Sequence, residues 1–269
     1  MIKKIEGIVV SEVDYKESSK IINLFTKDEG IIGLIARGTK RVKSNLSGTT
    51  SKLTYGYFHI NYKENGLSQL IEVDIINKFK NIRKDLNLMS YSLYILELAS
   101  KVYKHDSSKE IYDILLASLN KIDEGYDYKI ITNIFELKML VFLGIKPVVD
   151  ECVNCGSKID IVTISSYRGG YLCKNCLQNE SIVNIKTIKL LRMFYYVDIN
   201  KIEKLDISEN IQKELSRFIY DYYDRYSGIY IKSREFLQNL EKLNCWLITT
   251  KDNFYLNEHY NYIIKQSKV

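Results

Sequence analysis

Proline is nearly absent: Pro147 is the only one in 269 residues, and no repeat or low-complexity stretch interrupts the chain. Long Pro-rich linkers are therefore excluded. Apolar runs are short. None approaches the ~18 residues of a membrane helix, and Lys3-Lys4 lead into Ile5-Glu6-Gly7 with no signal core. A cytoplasmic protein with no membrane association is expected, in a compartment that keeps thiols reduced. Histidine is scarce too. His59, His105 and His259 stand apart, without metal-ligand spacing and without a GxSxG partner. Acidic pairs such as Asp123-Glu124 read as solvated, so no catalytic constellation emerges and a non-enzymatic protein is expected. Nucleotide hydrolysis is unsupported. Gly33 and Gly38 have the first spacing of a phosphate loop, but Thr39-Lys40 reverses the required order and no helix follows.

What the chain does contain is a four-cysteine pattern. Cys152-Val153-Asn154-Cys155 and Cys173-Lys174-Asn175-Cys176 form two CxxC knuckles with seventeen residues between them. A CxxC turn directs two sulfurs at one metal, and such a gap suits a small hairpin that returns the second pair. Gly156 after the first knuckle and Gly169-Gly170 before the second favour tight turns. A redox site needs only one pair beside a βαβ pattern, which is missing here, and iron–sulfur ligation uses other spacings. One structural Zn²⁺ held by Cys152, Cys155, Cys173 and Cys176 is the expectation. With four protein ligands it has no open position for substrate. The fifth cysteine, Cys245, lies beside Trp246 in an apolar stretch and reads as core.

Hydrophobic residues make up 46% of the chain and charged residues 27%, an ordinary globular balance. The net charge of +6 is unevenly spread. Residues 1–83 hold 14 basic against 9 acidic residues, whereas residues 84–150 hold 8 against 10. The segment 151–180 is balanced at 3 each, and 181–269 has 14 against 11. From Gly30 to Lys63 there are six cations, Arg37, Lys40, Arg41, Lys43, Lys52 and Lys63, and no carboxylate. General lysine enrichment explains part of that excess. The exclusion of Asp and Glu over such a length points to an anionic partner.

The first eighty residues read as strands. Ile5–Val10, Lys20–Thr26, Gly30–Ala36, Tyr55–Tyr62 and Leu67–Val73 are short apolar or alternating runs, and Asn65-Gly66 marks a hairpin. Five strands without a helical layer predict a small barrel, and an OB-fold is the natural candidate. The period then changes. Stripes through Leu86, Met89, Leu93 and Leu96, through Ile111, Ile114/Leu115, Leu119 and Ile122, and through Ile130, Ile134, Leu137 and Val141 predict three helices. Gly144 and Pro147 end the third. Thr187–Tyr196 and Ser208–Tyr226 read as two more. The fold class is thus α+β: an OB-fold barrel over 1–80, then an all-α domain over 81–150 and 181–269, with a zinc module inserted at 151–180.

The segment Arg37-Gly38-Thr39-Lys40-Arg41-Val42-Lys43-Ser44 falls where strand three ends, and Gly38, Ser44 and Asn45 suggest an extended loop. Its cations suit phosphates, giving sequence-indifferent binding that weakens with salt. Arg37, Lys40, Arg41 and Lys43 are the candidate phosphate contacts, with Lys16, Lys20 and Lys52 as weaker ones. Tyr55, Tyr57, Phe58 and Tyr62 are candidate stacking partners, though alternation sends only one set outward. With 22 tyrosines in the chain, packing is the commoner fate of each.

Several ordered blocks resemble one family, the bacterial recombination mediator RecO. They are Gly7-Ile8-Val9-Val10, Tyr15 to Ile21, Leu24-Phe25-Thr26, Gly30, and the basic segment Ala36 to Ser44, where Val42 replaces a common proline. Further on come Phe135-Glu136-Leu137-Lys138 to Gly144, Pro147, both knuckles, and Ile231-Lys232-Ser233-Arg234-Glu235-Phe236-Leu237. The resemblance implies a barrel that binds single- and double-stranded DNA, and a role in recombinational gap repair. It also implies strand annealing, RecA loading on DNA coated by single-strand DNA-binding protein, contact with RecR, and capture of that coating protein's acidic C-terminal tail by the helical domain. Recruitment to the nucleoid during repair would follow. Two other classes share features of the chain: a zinc-ribbon RNA-binding or transcription accessory protein, and a zinc-dependent nuclease or deaminase. The latter lacks a His-x-Glu near the cysteines.

Overall fold

The structure, a computed structural model, describes residues 1–41 and 44–240. Lys43, Cys245, Trp246 and His259 lie outside the described residues. Met1–Tyr230 form one compact unit and Ile231–Val269 a second, of which 232–240 are helical.

Alternating apolar positions in the first third close a barrel. Its strands are β1 (Ile2–Tyr15), β2 (Ser19–Thr26), β3 (Ile31–Ala36), β4 (Tyr55–Asn61) and β5 (Ser68–Asn77), in the closed order β1-β2-β3-β5-β4. The β3–β5 contact is parallel and the others antiparallel, the five-stranded Greek-key arrangement of an OB-fold. Inward residues Ile5, Val9, Ile22, Leu24, Leu34, Phe58, Ile60 and Leu70 fill it. The strand β1 outruns its apolar stretch because its first half pairs with β4 and its second with β2, bending at a bulge between Val9 and Ser11. Gly7 and Gly56 pair across β1 and β4. A Cβ would sit 2.7 Å from the Phe25 carbonyl oxygen at Gly7 and 2.4 Å from that of Asp74 at Gly56, so backbones approach too closely there for any side chain.

Strand directions follow from the pairing. The chain ends of β1, β3 and β5 share one end of the barrel, along with the β1–β2 tip, the 37–54 segment and the exit from β5. The β2–β3 and β4–β5 turns lie at the other. The 37–54 segment corrects the expectation of an extended loop. Its described residues form a chain of turns, with the Lys40 amide donating to the Ser18 carbonyl (3.3 Å) and the Leu53 amide to that of Val9 (3.0 Å). Leu46 enters the barrel core and Leu53 is fully buried. Each such side chain contributes about 1.5–3 kcal/mol of burial, enough to hold the segment against the barrel.

The helices are α1 (Leu86–Val102), α2 (Glu110–Asp123), α3 (Tyr128–Phe142), α4 (Ile185–Tyr196) and α5 (Glu209–Tyr226). Asp85, Asp127 and Asn184 cap α1, α3 and α4 by accepting first-turn amides. Gly144 ends α3 at φ +71, its amide returning to Val141 and that of Ile145 to Leu140. The expected stripe of α2 is its buried face, and so on α5 is the stripe through Ile211, Leu215, Phe218 and Tyr222 that the sequence spacing predicts. Two others need correction. On α1 Leu86 is 61% exposed, and the buried face runs through Tyr91, Tyr94, Ile95, Leu98 and Val102. On α3 every residue from Ile130 to Leu137 is buried while Val141 is 44% exposed, because α1, α2, α4 and α5 all pack around this helix. A helix enclosed on all sides has no single stripe.

Between α3 and α4 lies a three-stranded sheet, β6 (Val148–Cys152), β7 (Ile161–Ser165) and β8 (Gly170–Cys173), in the order β6-β8-β7. Barrel and helices meet through Phe25, whose ring lies 4.8 Å from Tyr103 and 5.5 Å from Tyr112. Glu6 accepts from the Tyr55 hydroxyl at 2.8 Å and the Tyr112 hydroxyl at 3.5 Å. Burial first, then the Glu6 charge, raises the Tyr112 phenol far above its ordinary range. Among the described residues no helix is long and apolar enough to cross a membrane.

Candidate metal centre and nucleic-acid interface

The four cysteine sulfurs all lie within 4.8 Å of one another. Cys152 ends β6, and the Gly156 amide returns to the Cys152 carbonyl at 2.8 Å with Gly156 at φ +72. Cys173 ends β8, and a 3-10 turn over Lys174–Cys176 presents the second pair. Parallel pairing of β6 with β8 brings the knuckles together, helped by the Val153 amide donating to the Tyr171 carbonyl at 2.9 Å. Gly170 makes this possible. A Cβ there would lie 2.2 Å from the Val148 carbonyl oxygen.

The sulfur geometry fits a tetrahedral metal. Zn–S bonds of about 2.3 Å put neighbouring sulfurs about 3.8 Å apart, and Cys155 and Cys173 are separated by 3.6 Å. The electrostatics fit as well. Burial works against a Cys152 thiolate, yet backbone amides of Cys173, Cys155 and Asn154 outweigh it and bring the thiol down to about 6. Cys176 is pushed up to about 12, first by its hydrogen bond with Cys155 and then by burial. Cys152 is thus favoured as a thiolate while Cys176 is not, and a bound divalent cation would support all four thiolates together. Cys152, Leu172 and Cys173 also form the small core of the sheet, with Val153, Ile161 and Cys176 packed on it.

The sheet is joined to the helices by polar clamps. Asp150 on β6 accepts from Arg192 of α4 (2.8 Å) and from the Tyr196 hydroxyl. The Tyr171 hydroxyl donates to the Ile188 carbonyl, and that of Tyr226 on α5 to the Tyr167 carbonyl at 2.9 Å.

The expected DNA contacts cluster at one end of the barrel, and their electrostatic states differ. Lys16 at the β1–β2 tip, Arg37, Arg41 and Lys52 are exposed. Lys20 is held by Glu12 at 2.5 Å, and Lys40 by Asp14 at 2.8 Å. Lys43 lies outside the described residues. The same end carries Lys78, Lys80, Arg83 and Lys84, which counting charge by long blocks does not single out. Their signal is four cations within seven residues. Of the aromatic candidates, Phe58 is buried in the core and Tyr62 packs against it beneath Lys3. Tyr55 turns towards Glu6, whereas Tyr57 faces outward beneath Lys4, its ring centre 4.5 Å from Nζ.

Two family profiles match the chain: "Recombination protein O N terminal" matches residues 1–79 and "Recombination protein O C terminal" residues 83–235. The chain belongs to the RecO family. A DNA repair protein RecO of Halalkalibacterium halodurans is 38% identical over 247 residues, covering 90% of this chain and 97% of the relative. Relatives of the same description from Bacillus pumilus (36% over 247 residues) and Listeria innocua (35% over 244) cover 96% and 95% of their own lengths. RecO proteins are DNA repair proteins by that description, and the junction between the two profiles falls where the barrel gives way to α1.

Proposed function

We propose that this RecO protein is a recombination mediator that grips nucleic-acid backbones with one end of its barrel and anneals complementary strands without covalent chemistry. The observation that carries this reading is the gathering of the β1–β2 tip and the 37–54 segment at one barrel end, with Lys16, Arg37, Arg41 and Lys52 exposed. Phosphates repel one another, and cations that hold both strands lower that barrier while base pairing drives the reaction. Lys20 and Lys40 contribute less, because Glu12 and Asp14 already offset them. Lys43 completes the set. The division of labour follows residues 1–80 for DNA, 81–150 and 181–269 for partner proteins, and 151–180 for a structural Zn²⁺ at Cys152, Cys155, Cys173 and Cys176.

In this reading the partners are single- and double-stranded DNA, RecR, and the acidic tail of the single-strand DNA-binding protein. RecA loading is the outcome, in the cytoplasm and at the nucleoid during repair. Annealing makes and breaks no covalent bond, so in this reading the protein is not an enzyme. The test is annealing of complementary strands precoated with single-strand DNA-binding protein, without ATP. Acceleration over the uncatalysed rate is expected. Failure to anneal, preference for RNA over DNA, or metal-dependent cleavage would overturn the reading.

A further inference from the structure

We infer that the phosphate-binding surface extends beyond the β1–β2 tip to the junction of barrel and helices, where Lys52, Lys78, Lys80, Arg83 and Lys84 form its most strongly charged part. This rests on the DNA-binding reading above, which already includes Lys52, and adds Lys78, Lys80, Arg83 and Lys84 to it. The segment 78–84 reads Lys-Phe-Lys-Asn-Ile-Arg-Lys. Its two apolar residues, Phe79 and Ile82, are fully buried, while all four of its cations are exposed. The segment is therefore anchored by hydrocarbon and presents charge.

The presentation is rigid. Phe79 sits at φ +49, a strained conformation for a bulky residue that persists only where its surroundings enforce it. Here Asn77 accepts the Phe79 amide at 2.8 Å. Asp123 of α2 accepts the Asn81 and Ile82 amides at 2.9 and 3.0 Å, and its carbonyl accepts from the Asn81 side chain at 2.8 Å. The Arg83 guanidinium donates to the carbonyls of Lys78 (2.7 Å) and Lys52 (2.9 Å), drawing three pieces of chain into one patch. Those acceptors are neutral, so the charge of Arg83 is not cancelled.

Charge bookkeeping separates this patch from the tip. Among the described residues, none of Lys52, Lys78, Lys80, Arg83 and Lys84 pairs with a carboxylate within 4.0 Å, whereas Lys20 and Lys40 at the tip do. Two carboxylates stand close in the chain or the fold. Asp123 is committed to the turn amides and Asp85 to the Leu88 amide, and they leave the patch with an excess of positive charge. Along β1, the level of Tyr55 (paired with Ile8) and the tip at Tyr15 are separated by seven residues. That is roughly 23 Å of strand, or about seven phosphates of one stacked strand. One polynucleotide can lie across both.

The test is single-strand DNA affinity against salt for the full chain, its K78Q/K80Q/K84Q variant and a K27Q/K63Q control. Arg83 is left in place because it ties the segments together. Lys27 and Lys63 lie in turns at the opposite barrel end. The triple variant, checked for an unchanged melting temperature, is expected to lower the slope of log K against log salt by about 2, since each phosphate contact carries ~0.7. The control keeps the wild-type slope. A triple variant with the wild-type slope overturns the inference, as does an equal fall in the control. If the wild-type chain itself fails to bind, the DNA-binding reading is what has failed.

Discussion

The four cysteines converge on a volume that a single ion fills, whereas the basic side chains are spread over one end of a barrel. The first arrangement demands backbone held to fractions of an ångström, and the knuckle amides, the β6–β8 pairing and Gly170 supply it. The second needs only sign and approximate placement, because phosphates tolerate displacement and counterion release rewards any close cation. Rigidity therefore belongs to the sheet that carries the cysteines, and redundancy to the barrel.

The contrast can be broken most forcefully at Cys173. It is buried, and Cys173→Ser removes both a ligand and part of the sheet's core. We expect metal content to fall from one ion per chain to none, with a stability loss of about 4 kcal/mol, or roughly 10 °C in melting temperature. Elemental analysis and calorimetry read both, and a variant that keeps its melting temperature would show that the metal does not organise the sheet. Gly170→Ala comes next, at about 3 kcal/mol, because its Cβ would meet the Val148 backbone at 2.2 Å and must push β6 from β8. Weakened metal binding should accompany that loss, read by competition with a chelator.

On the barrel the effects are smaller and graded. Exchanging Arg37 and Arg41 for Gln should lower the salt slope of DNA binding by about 1.4. The same exchange at Lys20 and Lys40 should change it less, since Glu12 and Asp14 already offset those charges. Equal effects would mean that the ion pairs break on binding. The mildest change is Asp150→Asn. Its carboxyl is held below the usual range, first by the Tyr196 hydroxyl and then by Arg192, against some desolvation. A depressed carboxyl stabilises the fold above its ordinary titration range and loses that contribution as pH falls through the folded-state value. Asp150→Asn should therefore cost at most about 1 kcal/mol at pH 7, since exposed pairs are screened. The gap from wild type should close in acid, as urea titrations at both pH values would read.

Sequence carried the cysteine site almost whole, because its spacing is local and its chemistry names its own geometry. The barrel was legible from alternation, and the β4–β5 hairpin from Asn65-Gly66. Other features depend on contacts between distant segments. The 37–54 segment looked extended because nothing local marks Leu46 and Leu53 as plugs for the barrel. The ion pairs of Lys20 with Glu12 and of Lys40 with Asp14 arise from strand pairing and from the segment that follows β3, which composition does not show. Leu86 and Val141 fit a helical period but face outward, since α1 and α3 take their buried faces from their neighbours. The cations from Lys78 to Lys84 sit within two turns of chain, a density that the net charge of a long block averages away.

The sheet that carries the knuckles has almost no interior of its own. Strip out the thiols and Leu172, Val153 and Ile161 are nearly all the hydrocarbon left to fill it. A lineage that abandons the ion must therefore replace several of the four cysteines with bulkier apolar residues together, since any one exchange leaves a half-empty shell. Intermediate sequences with two or three cysteines should be rare.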